Sequence, residues 1–435
     1  MDHIITGIGG ILIGIDLLAR SKEHANVSHS IEIWRWLLGN EGKRLLAAGK
    51  DTDPTDVGSI TRLRKHWSLE QVSAAMELID ARRRAALKYP LHPPVVCDRS
   101  GIEQATPESI AIYKSDRIKQ RVGSGQRIHD LACGIGGDAM SLAHHFHVTA
   151  IDVDPIRCWM TRCNAECETV EADLLDSHHE GDWFHLDPGR RDPATGRRLH
   201  DPNQWHPPLS SLSRLSTDFK GGIVKLGPGV AIERLPLETS HELEFISTNG
   251  RLSQAHLWLG ELAASTSTHR ATRLPTGLTE TGTPIPTPLG SLGSIGEVLC
   301  VPDPALERSM LHGNVAERHG LVEPAPGLGL MTGDRSPACD WFTSFSVDEV
   351  MPWREDRVAR WLATHDTGIV EVKTRDRTVD PDRYQRRFSG SGSIDRTLFV
   401  LRLGRPVVAI ITRRADNRFV DDGPGQSGET DPAVD

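Results

Sequence analysis

Apolar residues recur at helical spacing between Ser30 and Lys88: Ile31, Ile33, Trp34, Trp36, Leu37 and Leu38, then Leu69, Val72, Ala75, Met76 and Leu78. A one-sided apolar stripe has to be covered, so the stretch predicts a small helical cap, residues 30–120, packed on a neighbouring core. Near its end Thr106-Pro107-Glu108 predicts another helix start, with Thr106 as the cap and Pro107 in the first turn. That helix would carry Lys114 and Arg117 to the mouth of the glycine turn that follows it.

At Arg127 the pattern changes to short apolar runs divided by turns and helices. Ile128 and Leu131 fit a buried strand, His147 to Pro155 a second strand and its exit, and Val170 to Asp176 a third strand end. Trp183 begins a fourth, which runs into Asp187-Pro188-Gly189-Arg190-Arg191, and Gly221 to Val230 makes a fifth that Gly227-Pro228-Gly229 stops. Glu242–Ser247 and Leu252–Leu259 flank Asn249-Gly250, a hairpin signal because both turn residues accept positive φ. Strands alternating with helices predict an α/β domain over residues 121–275. Residues 276–296, rich in Pro, Gly, Thr and Ser and without a period, read as a linker.

Beyond the linker, residues 297–415 predict a second, smaller α/β domain. Its strands fall at Glu297–Val301, Gly368–Val372, Thr397–Leu403 and Val407–Thr412, with helices at Ala305–His319 and around Val358–Thr364. Residues 1–29 read as an extension and 416–435, polar and acidic, as a disordered tail.

The chemistry gathers at the ends of the first four strands. Gly134, Gly136 and Gly137 let the backbone turn with no Cβ in the way, so a ligand can lie on main chain; Asp130 and Ala132 immediately precede them. The turn alone fits a dinucleotide, S-adenosylmethionine or no ligand at all. Asp152 lies roughly 20 residues on, the spacing of a ribose-binding acid, since one carboxylate can accept from both hydroxyls. Asp154, just before Pro155, suits the N-cap of a helix running to Cys167. Asp173, at the third strand end, would accept the exocyclic amine of adenine or serve as a plain turn acid. At the fourth, Asp187-Pro188 stands where a second substrate would meet the ligand, or merely ends the strand.

This order resembles a class I S-adenosylmethionine-dependent methyltransferase over residues from about Arg127 to about Pro275. The whole chain resembles a bacterial group in which that domain is followed by a THUMP-like domain. Gly101-Ile102-Glu103-Gln104-Ala105-Thr106, Val224-Lys225-Leu226-Gly227-Pro228-Gly229 and Leu257-Trp258-Leu259-Gly260-Glu261 carry that wider likeness. It implies a Rossmann-like seven-stranded sheet, an N-terminal helical cap and a second C-terminal α/β domain. It also implies S-adenosylmethionine held by Asp130, Ala132, Gly134, Gly136, Asp152 and Asp173, with Gln104 and Thr106 lining its pocket. Asp187, Pro188 and Arg190 would then be catalytic. Ala132 stands where the family often has its first glycine, which the resemblance implies is tolerated because the position need only be small. Gly189 and Arg190 depart from the proline and aromatic usual in enzymes that methylate exocyclic base amines, so Arg190 would stack by its plane or hold a phosphate or carboxylate.

Composition narrows the partners. A length of 435 residues exceeds one core, and the net charge of −9 argues against nucleic acid gripped by the whole surface. A local concentration opposes that sign: Lys373, Arg375, Arg377, Arg383, Arg386, Arg387 and Arg396, with Tyr384 and Phe388 available to stack on a base. The same residues would equally form a solvated face paired to Asp376, Asp380 and Asp382. Seven cysteines without regular pairing suit a reducing, cytoplasmic setting. Cys158, Cys163 and Cys167 lack a metal-site spacing and read as packing residues, and His144-His145 and His178-His179 as surface residues; no metal is expected. Asp2 and Asp16 in the first apolar run argue against a signal peptide or membrane span. The reading favours an RNA methyltransferase acting on a base nitrogen of tRNA or rRNA, its C-terminal domain presenting substrate. Alternatives are a methyltransferase for a small molecule or protein side chain, and a non-catalytic S-adenosylmethionine-binding protein.

Overall fold

In the computed structural model of the chain, the described residues are 29–415 except 54, 93, 175–180, 193–194, 236–240, 265–268 and 376. Residues 1–28, His178-His179, Asp376 and the tail from 416 lie outside them. The chain divides into two compact units between Gly222 and Ile223.

Among the described residues from Ile31 to Val122 all the regular elements are helices: α1 (Ile31–Leu38), α2 (Asn40–Gly49), α3 (Val57–Leu63), α4 (Leu69–Lys88), α5 (Arg99–Gln104) and α6 (Glu108–Val122). Ser30 caps α1 by accepting from the Ile33 amide, and Ser68 with Gln71 forms a reciprocal capping box at α4. Leu37, Leu45 and Leu78 are fully buried, each contributing about 1.5–3 kcal/mol relative to an exposed side chain. The cap of α6 is Pro107, one residue later than expected, because the Thr106 hydroxyl is turned inward onto Asp138.

Four parallel strands follow, β1 (Arg127–Leu131), β2 (His147–Asp152), β3 (Glu168–Glu171) and β4 (Trp183–Leu186), in the order β3-β2-β1-β4. Between them run α7 (Gly137–Leu142) and α8 (Pro155–Asn164), and α9 (Leu212–Asp218) comes after. Leu131 pairs with Ile151 on one side and with Leu186 on the other, so Asp152 and Asp187 emerge level at one edge. That edge is where parallel sheets bind ligands. Helix α8 stops at Asn164 rather than Cys167, since Ala165 is already extended and β3 begins at Glu168.

The division falls within β5 (Gly221–Leu226), after which come β6 (His241–Thr248), β7 (Arg251–Gly260), β8 (His269–Leu274) and β9 (Leu278–Gly282), ordered β5-β7-β6-β8-β9. Asn249 and Gly250 turn the β6–β7 hairpin with φ of 51° and 72°. The expected seven strands ended at that hairpin; β8 and β9 extend the series. The segment expected to be a linker carries β9, which pairs antiparallel with β8. Its Gly and Pro residues hid a short strand.

The remaining elements are β10 (Val298–Pro302), α10 (Pro304–Arg308), α11 (His312–Arg318), β11 (Met331–Gly333), β12 (Phe342–Pro352), α12 (Glu355–Thr364), β13 (Thr367–Lys373), α13 (Pro381–Phe388), β14 (Ile394–Arg402) and β15 (Val407–Arg414). Their strands form a sheet in the order β11-β10-β12-β15-β14-β13. The helix expected over Ala305–His319 is two, broken where Met310 takes φ 62°. The long strand β12 escaped the sequence reading because a bulge between Val347 and Glu349 breaks its alternation. Among the described residues no helix is long and apolar enough to cross a membrane.

Candidate functional site

A cavity of about 810 Å³ opens at the strand edge of the first unit. It is lined by Asp130, Ala132, Gly134, Asp152 and Asp173, by Asp187, Pro188 and Arg190, and by Gly101, Gln104 and Thr106 from the segment ahead of β1. The fold thus brings together the expected site residues except Gly136, which turns the loop behind the cavity wall with φ 82°.

The glycine loop is fastened from three directions. Asp152 accepts from the Gly134 amide at 2.9 Å, the Thr161 hydroxyl donates to the Gly134 carbonyl at 3.0 Å, and the Asn164 amide donates to the Ile135 carbonyl at 2.8 Å. Ala132 has φ 60°, a left-handed conformation that glycine adopts more cheaply, so the position constrains backbone as well as size. The expectation that it need only be small is corrected on that ground.

Asp152 also accepts from the Asp154 amide at 3.0 Å, leaving each oxygen room for another donor. Burial pushes its carboxyl up, against the pull of those two amides, so new donors would stabilise its charged form. Asp154 caps α8 by accepting from the Ile156 amide at 2.8 Å. Asp173 lies two residues beyond β3 on the cavity wall.

Beneath the loop runs a buried polar chain that the sequence reading missed. Lys114 sits 2.5 Å from Asp138 and 2.9 Å from His185 Nε2; His185 Nδ1 lies 2.7 Å from Asp130; and Thr106 donates to Asp138 at 2.7 Å. An ammonium has no lone pair, so Lys114 must donate to Nε2, leaving His185 to donate from Nδ1 to Asp130. Lys114 is therefore a buried network cation, not a residue at the loop's mouth, and Arg117 is buried too. Burial pushes the Asp130 carboxyl up, and its Oδ2 has no hydrogen-bond partner among the described residues although Asp130 lines the cavity. The one clue in the sequence was a histidine inside the apolar run Trp183–Leu186.

The wall ahead of β1 is latched to α8. Arg157 grips Asp98 bidentately, at 2.6 and 2.9 Å, and Asn164 bonds both the amide and the carbonyl of Val96 at 2.8 Å. Burial pushes the Asp98 carboxyl up, but Arg157's hydrogen bonds and charge outweigh it, and the net shift is downward.

The C-terminal basic residues are largely spoken for. Lys373 pairs with Glu371, Arg375 with Glu307, Arg387 with Glu355, and the buried Arg396 with Asp348 while lying over Trp361. Phe388 is 5% exposed in the core and Tyr384 packs on it, so neither stands free to stack on a base, against expectation. Of Cys158, Cys163 and Cys167, Cys158 is buried but Cys163 is exposed, which corrects its reading as a packing residue. Among the described residues no group of three metal-ligating side chains converges.

Residues 125–217 match the family described as RNA cap guanine-N2 methyltransferase, residues 342–414 the family described as THUMP domain-like, and residues 30–85 a domain of unknown function. Uncharacterised S-adenosylmethionine-dependent methyltransferases from two strains of Mycobacterium tuberculosis are each 31% identical over 351 residues, spanning 76% of this chain and 93% of theirs. The crystal structure of a protein assigned as a methyltransferase from Porphyromonas gingivalis W83 has the same fold, with TM-score 0.70 and 18% identity over 89% of this chain and all of its own.

Proposed function

Because the chain belongs to the class I S-adenosylmethionine-dependent methyltransferases with a C-terminal THUMP-like domain, we propose that it methylates a base nitrogen of tRNA or rRNA. In this reading the C-terminal domain presents the substrate through Arg377, Arg383 and Arg386, which make no ion pair among the described residues. The matches of residues 125–217 and 342–414 support RNA as the class of acceptor.

The observation that carries the donor assignment is the unpartnered, buried Asp130 Oδ2 on the cavity wall. Burial makes the negative charge of Asp130 costly. S-adenosylmethionine, with its sulfonium and ammonium, would compensate it; Asp130 would take the ammonium and Asp152 the ribose hydroxyls. When bound, the cofactor supplies a methyl carbon made electrophilic by the sulfonium.

The chain's own residues then have to align the acceptor and exclude water. Asp187 accepts one N–H of the acceptor nitrogen and the Pro188 carbonyl the other, which aims the lone pair into the cavity. The wall of Gln104 and Thr106, held by the Arg157–Asp98 latch, keeps solvent from the donor side.

The test is transfer of labelled methyl groups onto total RNA from cells lacking the protein. Incorporation that disappears with Asp187→Ala is expected. Incorporation into protein or small molecules alone, or binding of the cofactor with no acceptor labelled, would overturn the RNA reading.

A further inference from the structure

We propose that the acceptor end of the cavity contains a phosphate subsite, formed by Arg190, Arg191 and Arg198, that holds a phosphate ester beside the nucleophile gripped by Asp187. It rests on the reading of Asp187-Pro188 as the acceptor grip and deepens it by naming the anion that the substrate must carry.

After Pro188 the chain forms a short antiparallel arm. Gly189 and His206 exchange both backbone hydrogen bonds, at 2.7 and 3.0 Å, the Leu199 amide donates to the Arg190 carbonyl at 2.8 Å, and Arg191 stands opposite Arg198. Like charges directly opposite on paired strands destabilise the pairing, so this arm carries a cost that a bound anion would relieve. All three arginines line the cavity.

None of the three makes an ion pair among the described residues. Arg190 Nη1 is buried without a hydrogen-bond partner, Arg198 makes no hydrogen bond or ion pair among the described residues, and Arg191 donates to the Gly196 carbonyl at 3.1 Å. Arg190 lies over Trp205, 5.9 Å from the ring centre, and the indole N–H is itself fixed on the Leu199 carbonyl at 3.1 Å. The guanidinium is thus held in place before any ligand arrives. Burial, and then the repulsion of Arg198 and Arg191, weaken its hold on its proton despite the attraction of Asp187; an anion between them would reverse that balance.

Shape selects phosphate over carboxylate. Each guanidinium offers a two-pronged donor edge, and a carboxylate's two oxygens satisfy one such edge. Three forks lining one cavity offer more donors than a carboxylate's two oxygens can take, and a tetrahedral anion with more oxygens matches them better. On a chain of net charge −9, these three arginines give their part of the cavity wall a local positive charge that suits an anion.

The protein saturated with S-adenosylhomocysteine is titrated calorimetrically with adenosine, guanosine, cytidine and uridine, with each 5′-monophosphate, and with inorganic phosphate. At least one nucleotide should bind about tenfold or more tighter than its nucleoside, the value of one charge-assisted fork. Inorganic phosphate should compete with it. Arg198→Gln, which breaks no hydrogen bond or ion pair among the described residues, should erase the difference without lowering the unfolding temperature or changing S-adenosylhomocysteine affinity. Equal binding of all four pairs, no phosphate-bearing probe bound at about 10 mM, or an undiminished preference in Arg198→Gln would overturn the subsite. RNA labelled with methyl groups while the pairs bind equally would sink the subsite alone. A phosphate preference without RNA methylation would sink the RNA reading alone.

Discussion

Gly137 opens α7 directly under the donor cavity, and the space above it is taken by Tyr89. A Cβ built at 137 would stand 2.4 Å from the Tyr89 hydroxyl oxygen, 3.3 Å from Ala105 Cβ and 3.5 Å from Tyr89 Cζ. The hydroxyl cannot swing away freely, because it donates to the Thr106 carbonyl at 2.6 Å inside the buried wall. Gly137→Ala should therefore cost about 1–3 kcal/mol of overpacking plus about 1 for the broken hydrogen bond, offset by about 1 of helix propensity. Tyr89→Phe alone should cost about 1–2 kcal/mol, the orphaned carbonyl. With the hydroxyl gone, however, the remaining contacts of the new methyl are near ordinary van der Waals distance. The double variant should then be no less stable than Tyr89→Phe, with a coupling of about 1–3 kcal/mol in the rescuing direction. Urea unfolding of the four proteins measures the cycle, and S-adenosylmethionine affinity should follow the same order. Costs that add to within about 0.5 kcal/mol would refute the steric account.

Asp152→Ala removes an acceptor for two ribose hydroxyls, and S-adenosylmethionine affinity measured by calorimetry should drop by about 2–4 kcal/mol, roughly 30- to 1,000-fold; unchanged affinity would refute the ribose assignment. Lys114→Met leaves Asp138 and Asp130 buried without their cation and should cost about 3–5 kcal/mol in urea unfolding. The Asp98 carboxyl is shifted down in the folded protein, so its contribution is full above the unfolded pKa of about 3.9 and fades as pH falls through the folded value. Asp98→Asn should accordingly destabilise at pH 7 by about 2 kcal/mol and by much less near pH 3, whereas an equal loss at both would mean that Arg157 is not its partner.

The loop, its following acids and Asp187-Pro188 were legible because each occupies a strand end, and strand ends punctuate the sequence with glycine, acid or proline. The helical cap was legible from its stripe. What escaped were contacts between residues far apart in the chain: Lys114 with His185, Arg157 with Asp98, Tyr89 with Gly137. No local pattern encodes those. The basic run after Lys373 misled for the complementary reason, since its counter-ions Glu307, Asp348 and Glu355 lie outside the run and only folding brings them near. The pair Arg191 and Arg198 shows the reverse: adjacent in no sequence window of a helix or long strand, they meet only because a tight arm folds back on itself.

The latch ahead of β1 also sets an order of events during synthesis. Asp98 must wait 59 residues for Arg157, and Val96 must wait 68 for Asn164. The emerging amino-terminal helices can coil while still on the ribosome, but the cofactor chamber has no front wall until α8 has left the exit tunnel. A fragment that begins at Gly125, where the methyltransferase match starts, would make the floor of the chamber and never receive that wall.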